Sequence, residues 1–169
     1  MKKSIIHFGI IGVTFLLILG CGAYSFTGGN TGAAKTIQVD FFPNQAPIIE
    51  PSLSQRFTQD LQDLFTRQTN LTLVKSNGEL HFNGEIIDYR ITPMSATADQ
   101  KAAQNRLTIV VNVRYTNSLE EKDNFEKQFS FYYDYGAAQQ LSGGVLDSAL
   151  NEILERITQD IFNASVAKW

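Results

Sequence analysis

One cysteine, Cys21, occurs in 169 residues. A single thiol forms no internal disulfide, so Cys21 is either a free thiol or a site of covalent attachment. Histidine is nearly as scarce. Of His7 and His81, only His81 lies outside the apolar N-terminal stretch. With no cysteine to join it in a metal site, His81 reads as a solvated histidine on the polar parity of a strand. No Gly-x-Ser-x-Gly turn occurs, so a Ser-His-Asp hydrolase has no nucleophile elbow. The early glycines are not followed by Gly-Lys-Ser/Thr, so they form no phosphate loop. Paired carboxylates occur at Asp60 and Asp63 and at Glu120 and Glu121. One pair falls on a polar helix face and the other in a loop. Neither has the apolar surroundings that raise a carboxyl pKa for acid-base work. Excess positive charge is also missing: 14 Lys+Arg stand against 17 Asp+Glu. A nucleic-acid binder is normally basic, and charge alone does not hold such a chain on an anionic membrane.

What is present begins at the N-terminus. Met1-Lys2-Lys3 is followed by a mostly apolar run from Ile5 to Leu19, and the run ends in Ile18-Leu19-Gly20-Cys21. A charged start, a short apolar segment and a small residue before the cut form an export signal. The run is shorter than the roughly 20 residues of a spanning helix. The pattern resembles the lipobox of bacterial lipoproteins, although Ile18 and Leu19 depart from its commonest residues. An ordinary cleaved signal and an uncleaved anchor are the alternatives. The resemblance implies cleavage before Cys21 and lipid on its thiol and new amino group. Two or more acyl chains anchor a protein stably where one does not. Gly22, rather than Asp, after the cysteine favours the outer membrane by the sorting habit of such lipoproteins. Residues 1–20 are thus read as signal peptide. The 149 that remain are enough for one domain with its own core, with 12 Lys+Arg against 17 Asp+Glu.

Residues 21–35 hold Gly22, Gly28, Gly29 and Gly32 among small and polar residues, a flexible tether. From Gly22 to Lys35 it reaches at most about 50 Å. Residues 36–169 read as a single domain. Thr36–Phe42 alternates with Ile37, Val39 and Phe41 on one face, a half-buried strand. Ser52 and Gln55 have capping-box spacing. They open a helix to Thr69 whose apolar face is Leu53, Phe57, Leu61, Leu64 and Phe65. Leu71–Lys75 is a short strand. In Glu79–Ile91 the apolar parity switches, from Leu80, Phe82 and Ile86 to Ile87, Tyr89 and Ile91. A bulge near Gly84–Ile87 accounts for the switch. Pro93–Gln104 is a loop. Arg106–Asn117 and Phe125–Tyr135 alternate cleanly, which describes an antiparallel hairpin covered on one face. Its outward parity is polar: Thr108, Asn112, Arg114, Gln128, Ser130 and Tyr132. A last helix runs from Val145 to Ala164, with a stripe of Leu146, Ala149, Leu150, Ile153, Ile157 and Ile161. The expected fold is α+β, β-α-β-β-β-β-α. It is a two-layer sandwich with both helices on one face of a mixed, mostly antiparallel sheet of four to five strands.

Several stretches together resemble one family: Cys21-Gly22-Ala23-Tyr24-Ser25-Phe26-Thr27-Gly28, Thr36–Phe42 running into Pro43-Asn44, the helix Ser52–Thr69, Leu80–Ile86, and Tyr89–Pro93. With the order of elements and the closing helix, they are similar to LPS-assembly lipoproteins of the LptE type, in the form found in Bacteroidetes-like bacteria. The resemblance implies a non-enzymatic outer-membrane lipoprotein without cofactor, facing the periplasm. Its partners would be an LptD-type β-barrel, which it plugs, lipopolysaccharide, and the membrane through its lipid; nucleic acid is not among them. It also implies that the glycolipid's phosphates meet basic residues near a strand-connecting loop. Arg90, Lys101, Arg106 and Arg114 fall on or just beside the loop between two neighbouring strands and form a small anion-binding patch or scattered surface charge; Arg90, Lys101 and Arg106 are the candidates for the phosphates. Two other readings compete. One is a periplasmic lipoprotein that scaffolds a secretion or efflux complex, and the other is a lipid-anchored hydrolase.

Overall fold

The computed structural model describes residues 31–94 and 103–166. Its elements are strand β1 (Thr36–Val39), helix α1 (Leu53–Gln68), β2 (Thr72–Leu73), β3 (Leu80–Met94), β4 (Gln104–Asn117), β5 (Phe125–Gly136) and helix α2 (Gly143–Val166). A short 3-10 turn at Glu121–Asp123 lies in the β4–β5 connection. The five strands form one sheet in the order β2-β1-β3-β4-β5. β1 runs parallel to both its neighbours, and β3, β4 and β5 are mutually antiparallel. This is the expected α+β sandwich. The parallel β1–β2 pair is reached through α1, since parallel neighbours need a crossover where antiparallel ones need only a turn.

The helices form because their apolar residues recur at helical spacing. α1 buries Leu53, Phe57, Leu61, Leu64 and Phe65, and α2 buries Leu150, Ile153, Leu154, Ile157, Ile161 and Phe162. Buried hydroxyls on α2 are satisfied within the helix: Thr158 Oγ1 donates to Leu154 O and Ser165 Oγ to Ile161 O, both at 2.8 Å. The core lies between the helices and one sheet face. An aromatic series crosses it. Phe65 on α1 meets Phe82 on β3 at 4.8 Å between centroids and Phe162 on α2 at 5.2 Å, and Phe82 meets Tyr115 on β4 at 4.7 Å.

The bulge is present. Ile86 pairs with Val111 and Asp88 with Val110, leaving Ile87 as the extra residue. Gly84 is not part of it. It stays in register opposite Val113, and a Cβ there would stand 2.0 Å from Asn112 O and 2.8 Å from Phe42 Cε1. Glycine is required because two neighbours already fill the space of a side chain.

Four expectations are corrected. The inward parity of β1 does not continue to Phe41, which is 61% exposed, while Phe42 is fully buried. The chain leaves regular pairing at Asp40, whose N–H donates to Phe82 O. It then bends before Pro43, so alternation slips by one residue. Phe42 N–H donates to Thr58 Oγ1 at 3.1 Å, and its ring meets Phe57 edge-on at 5.0 Å. Second, Ser52 makes no capping bond. Its hydroxyl donates to Glu50 Oε1 at 2.9 Å instead, because Ser52 is already helical in φ and ψ. Third, β2 pairs over only two residues, Thr72 and Leu73. Fourth, β3 runs on through Pro93, which pairs with Asn105. The folded body also begins ahead of Thr36, since Ala34 is buried in the core.

Candidate functional site

The helices cover one face of the sheet. Among the described residues nothing packs on the other face, and the polar parity of β3, β4 and β5 is displayed on it. The register brings side chains far apart in sequence into two clusters. In the first, Asn83, Arg114 and Glu126 lie side by side across three strands. Arg114 Nε donates to Asn83 Oδ1 at 2.7 Å and its Nη2 to Glu85 Oε2 at 3.0 Å. Asn112 Nδ2 donates to both Glu85 Oε1 and Glu126 Oε1 at 2.9 Å. Hydrogen bonds from Asn112, and then from Arg114, hold the Glu85 carboxyl below its ordinary pKa.

The second cluster lies toward the far end of the hairpin. Arg106 on β4 pairs in register with Asp134 on β5. Its Nε and Nη2 each donate to one carboxylate oxygen, at 2.7 and 2.8 Å, the bidentate fork that guanidinium geometry favours. The same guanidinium lies 3.6 Å from the centroid of the Tyr132 ring. On β3, Arg90 is opposite Thr108 and Thr92 opposite Arg106. Arg90 and Arg106 are therefore diagonal neighbours on one face. Arg90 forms an ion pair with Asp88. Arg114 is eight residues along β4 from Arg106, about 26 Å at the rise of a strand, so it is not part of that patch. Cys21, the export signal, most of the tether and Lys101 lie outside the described residues.

His81 differs from its expected place. It is half-buried on β3 opposite Gln38. Its Nε2 is 2.8 Å from Asp40 Oδ2 and 3.1 Å from Gln38 Nε2. The parallel β1–β3 register sets these residues together, where sequence alone left a solvated histidine. Burial pushes the Asp40 carboxyl up, but hydrogen bonds from Gln38 and His81 outweigh it and the net direction is down. Asp134, Glu85 and Glu126, which organise the face, were not legible as partners. Alternation placed Glu126 and Asp134 outward, but only strand register assigns each to an arginine.

One more carboxylate, Glu79, ties the start of the folded body to the sheet. Glu79 Oε2 accepts the N–H of Lys35 at 2.6 Å and of Thr36 at 3.0 Å, and Glu79 O accepts the N–H of Ser118. The Lys35 bond, then the Thr36 bond, lowers the Glu79 pKa. The linkage follows in sign. A carboxyl with a depressed folded pKa contributes stability above its unfolded pKa, and that contribution is lost as pH falls through the folded value. Thermal unfolding followed against pH is expected to show no dependence from Glu79 near neutrality and a falling melting temperature below the ordinary carboxylate range. Glu79→Gln is expected to flatten that acid limb.

Among the described residues no group of three or more His, Cys, Asp or Glu is placed to hold a metal. No described helix is long and apolar enough to cross a membrane.

Comparisons with known proteins agree with this architecture. A minor lipoprotein from Acinetobacter baumannii has a similar structure, with TM-score 0.52 and 11% identity, covering 79% of this chain and 92% of that one. A hypothetical protein from Chlamydia trachomatis has TM-score 0.54 and 11% identity, covering 80% of this chain and 100% of that one. At such identities the likeness speaks for the fold alone. No curated protein matches the sequence. The lipopolysaccharide-assembly family LptE matches residues 34–165, from the buried Ala34 to the last turn of α2. The chain belongs to the LptE lipopolysaccharide-assembly family.

Proposed function

We propose that this chain is a non-enzymatic lipoprotein of the outer membrane, held by lipid on Cys21 and facing the periplasm. In this reading it assembles with an LptD-type β-barrel, occupies its lumen, and supports the transfer of lipopolysaccharide to the outer leaflet. The observation that carries the reading is the family match across the whole folded body, residues 34–165. The open sheet face supports it physically. A plug must present polar groups to the polar interior of a barrel, and this face does so with its charges paired internally. Depletion of the protein tests the reading. Loss of surface lipopolysaccharide together with misassembled barrel is the expected result, and normal levels of both would sink it.

Anchoring has its own test. Cys21→Ser is expected to abolish acyl labelling and to move the protein from the membrane to the soluble periplasmic fraction, since the lipid supplies the attachment. Continued labelling of the serine variant would refute the assignment. Arg90, Lys101 and Arg106 are the proposed contacts for the glycolipid's phosphates. Of the two arginines Arg90 is the freer for that role, with one nitrogen on Asp88 where Arg106 has two on Asp134. Lipopolysaccharide binding that survives replacement of all three by alanine would remove the assignment.

A further inference from the structure

We infer that the Arg106–Tyr132–Asp134 cluster is a protein-docking hot spot and that its occupant is the polar inner wall of the barrel partner. The inference rests on the plug reading above and assigns it a contact point.

The geometry of the cluster is that of a preorganised contact. Asp134 fixes Arg106 through two bonds, at 2.7 and 2.8 Å. Arg106 lies 3.6 Å from the Tyr132 centroid, and Phe131 stacks against Tyr132 at 5.5 Å with an interplanar angle of 19°. Arg156 of α2 lies 5.5 Å from the Phe131 ring. The stack therefore joins the open face to the helix layer around β5, the last strand of the sheet. Tyr132 is nonetheless 44% exposed. Its hydroxyl, like those of Thr108 and Ser130 beside it, makes no side-chain hydrogen bond among the described residues, whereas the charged groups around it are paired. A half-exposed tyrosine that already rests against Arg106 and Phe131, with an unused hydroxyl, loses little side-chain freedom on binding. Tyrosine and arginine are also the residues enriched in hot spots.

Charge selects the occupant. On this face three guanidiniums, Arg90, Arg106 and Arg114, are paired with carboxylates of Asp88, Asp134, Glu85 and Glu126. A phosphate would have to compete with Asp134 for the Arg106 fork. A neutral, hydroxyl- and amide-rich wall would not, and it would meet Tyr132 and the flanking Thr108 and Ser130 by hydrogen bonding. The exposed side of α2 offers no such match, because it carries Asp147, Glu152, Glu155 and Asp160 against Arg156 alone.

The test uses the full-length lipidated chain and its detergent-purified barrel partner, with lipopolysaccharide binding measured separately on the barrel-free chain. Tyr132→Ala is expected to weaken barrel association roughly 30-fold. Tyr132→Phe, which keeps the ring and its stacking, is expected to weaken it by about fivefold through the lost hydroxyl. Asp134→Asn, which releases the Arg106 fork, is expected to weaken barrel association, and its lipopolysaccharide binding without the barrel reports separately on the phosphate assignment of Arg106. Melting temperatures of Tyr132→Phe and the parent should coincide, so loss of folding does not explain its effect. Wild-type affinity should change little between about 0.1 M and 1 M salt, where exposed charge attraction is screened. If the wild type holds the barrel and Tyr132→Ala holds it equally, the hot spot is wrong and the plug reading stands. Barrel association undiminished in Asp134→Asn would likewise overturn the hot spot. If the wild type does not capture the barrel, the plug reading fails and takes the inference with it.

Discussion

Gly84→Ala is expected to destabilise the protein by about 3 kcal/mol or more, near or above the upper end of the range for overpacking. In a domain of this size that lowers the melting temperature by roughly 10 °C. The cause is specific. The new methyl would stand 2.0 Å from Asn112 O, and that atom is main chain of the interior strand β4, which is hydrogen-bonded on both sides. It cannot rotate away. Moving it means displacing the β3–β4 ladder at the step where Gly84 pairs with Val113. The second clash, at 2.8 Å, is with a ring atom of Phe42, so trimming Phe42 relieves only the lesser contact. Combining Gly84→Ala with Phe42→Leu should therefore not restore the parent melting temperature. A single variant that melts within a degree or two of the parent would show that β3 does not approach its neighbours as described.

The second large effect separates two adjacent phenylalanines. Phe42→Ala is expected to cost about 3–5 kcal/mol, the usual range for a fully buried aromatic. Phe41→Ala should stay within about 0.5 kcal/mol, as surface changes do. Phe42 is fully buried. It packs edge-on against Phe57 of α1, and its main-chain N–H is held by Thr58 Oγ1. It thus joins the segment after β1 to the first helix, and its removal leaves a cavity between them. Phe41 is 61% exposed. Urea unfolding of the two variants at neutral pH decides the matter. Equal losses, or a larger loss at Phe41, would mean that the strand keeps its alternation through residue 42 and that the bend before Pro43 is misplaced.

This pair also shows where reading a sequence reaches its limit. Alternation is a rule for residues held in a ladder, and it identified Ile37 and Val39 correctly. It does not say where the ladder stops. Once the Asp40 N–H has bonded to Phe82 O and the chain turns, the face of each later residue depends on what it packs against. The same limit appears at the N-terminus of α1. The spacing of Ser52 and Gln55 satisfied the capping pattern, but the preceding backbone placed Glu50 where it took the hydroxyl. At Gly84 the sequence marked an unusual position. Its reason, a close approach of Phe42 and of Asn112 O, exists only when β1's continuation and β4 lie beside it.

By itself, the sequence determined the element order, the two helix faces, the parity of the long hairpin and the shift of parity in β3. Each is set by local periodicity, because the Cβ directions of helix and strand repeat every few residues. It also carried the family resemblance over the body that the LptE match spans. Tertiary structure alone decided which carboxylate meets which arginine. Asp134 reaches Arg106 across 28 positions and Glu85 reaches Arg114 across 29. Such pairs depend on strand register, which is settled by packing of the whole sheet against α1 and α2. The same dependence brought His81 to Asp40 and left Tyr132 half-exposed against Arg106 and Phe131 at the edge of the open face. Local pattern identifies what a residue is and which way it points. The neighbour it meets is a long-range property of the fold.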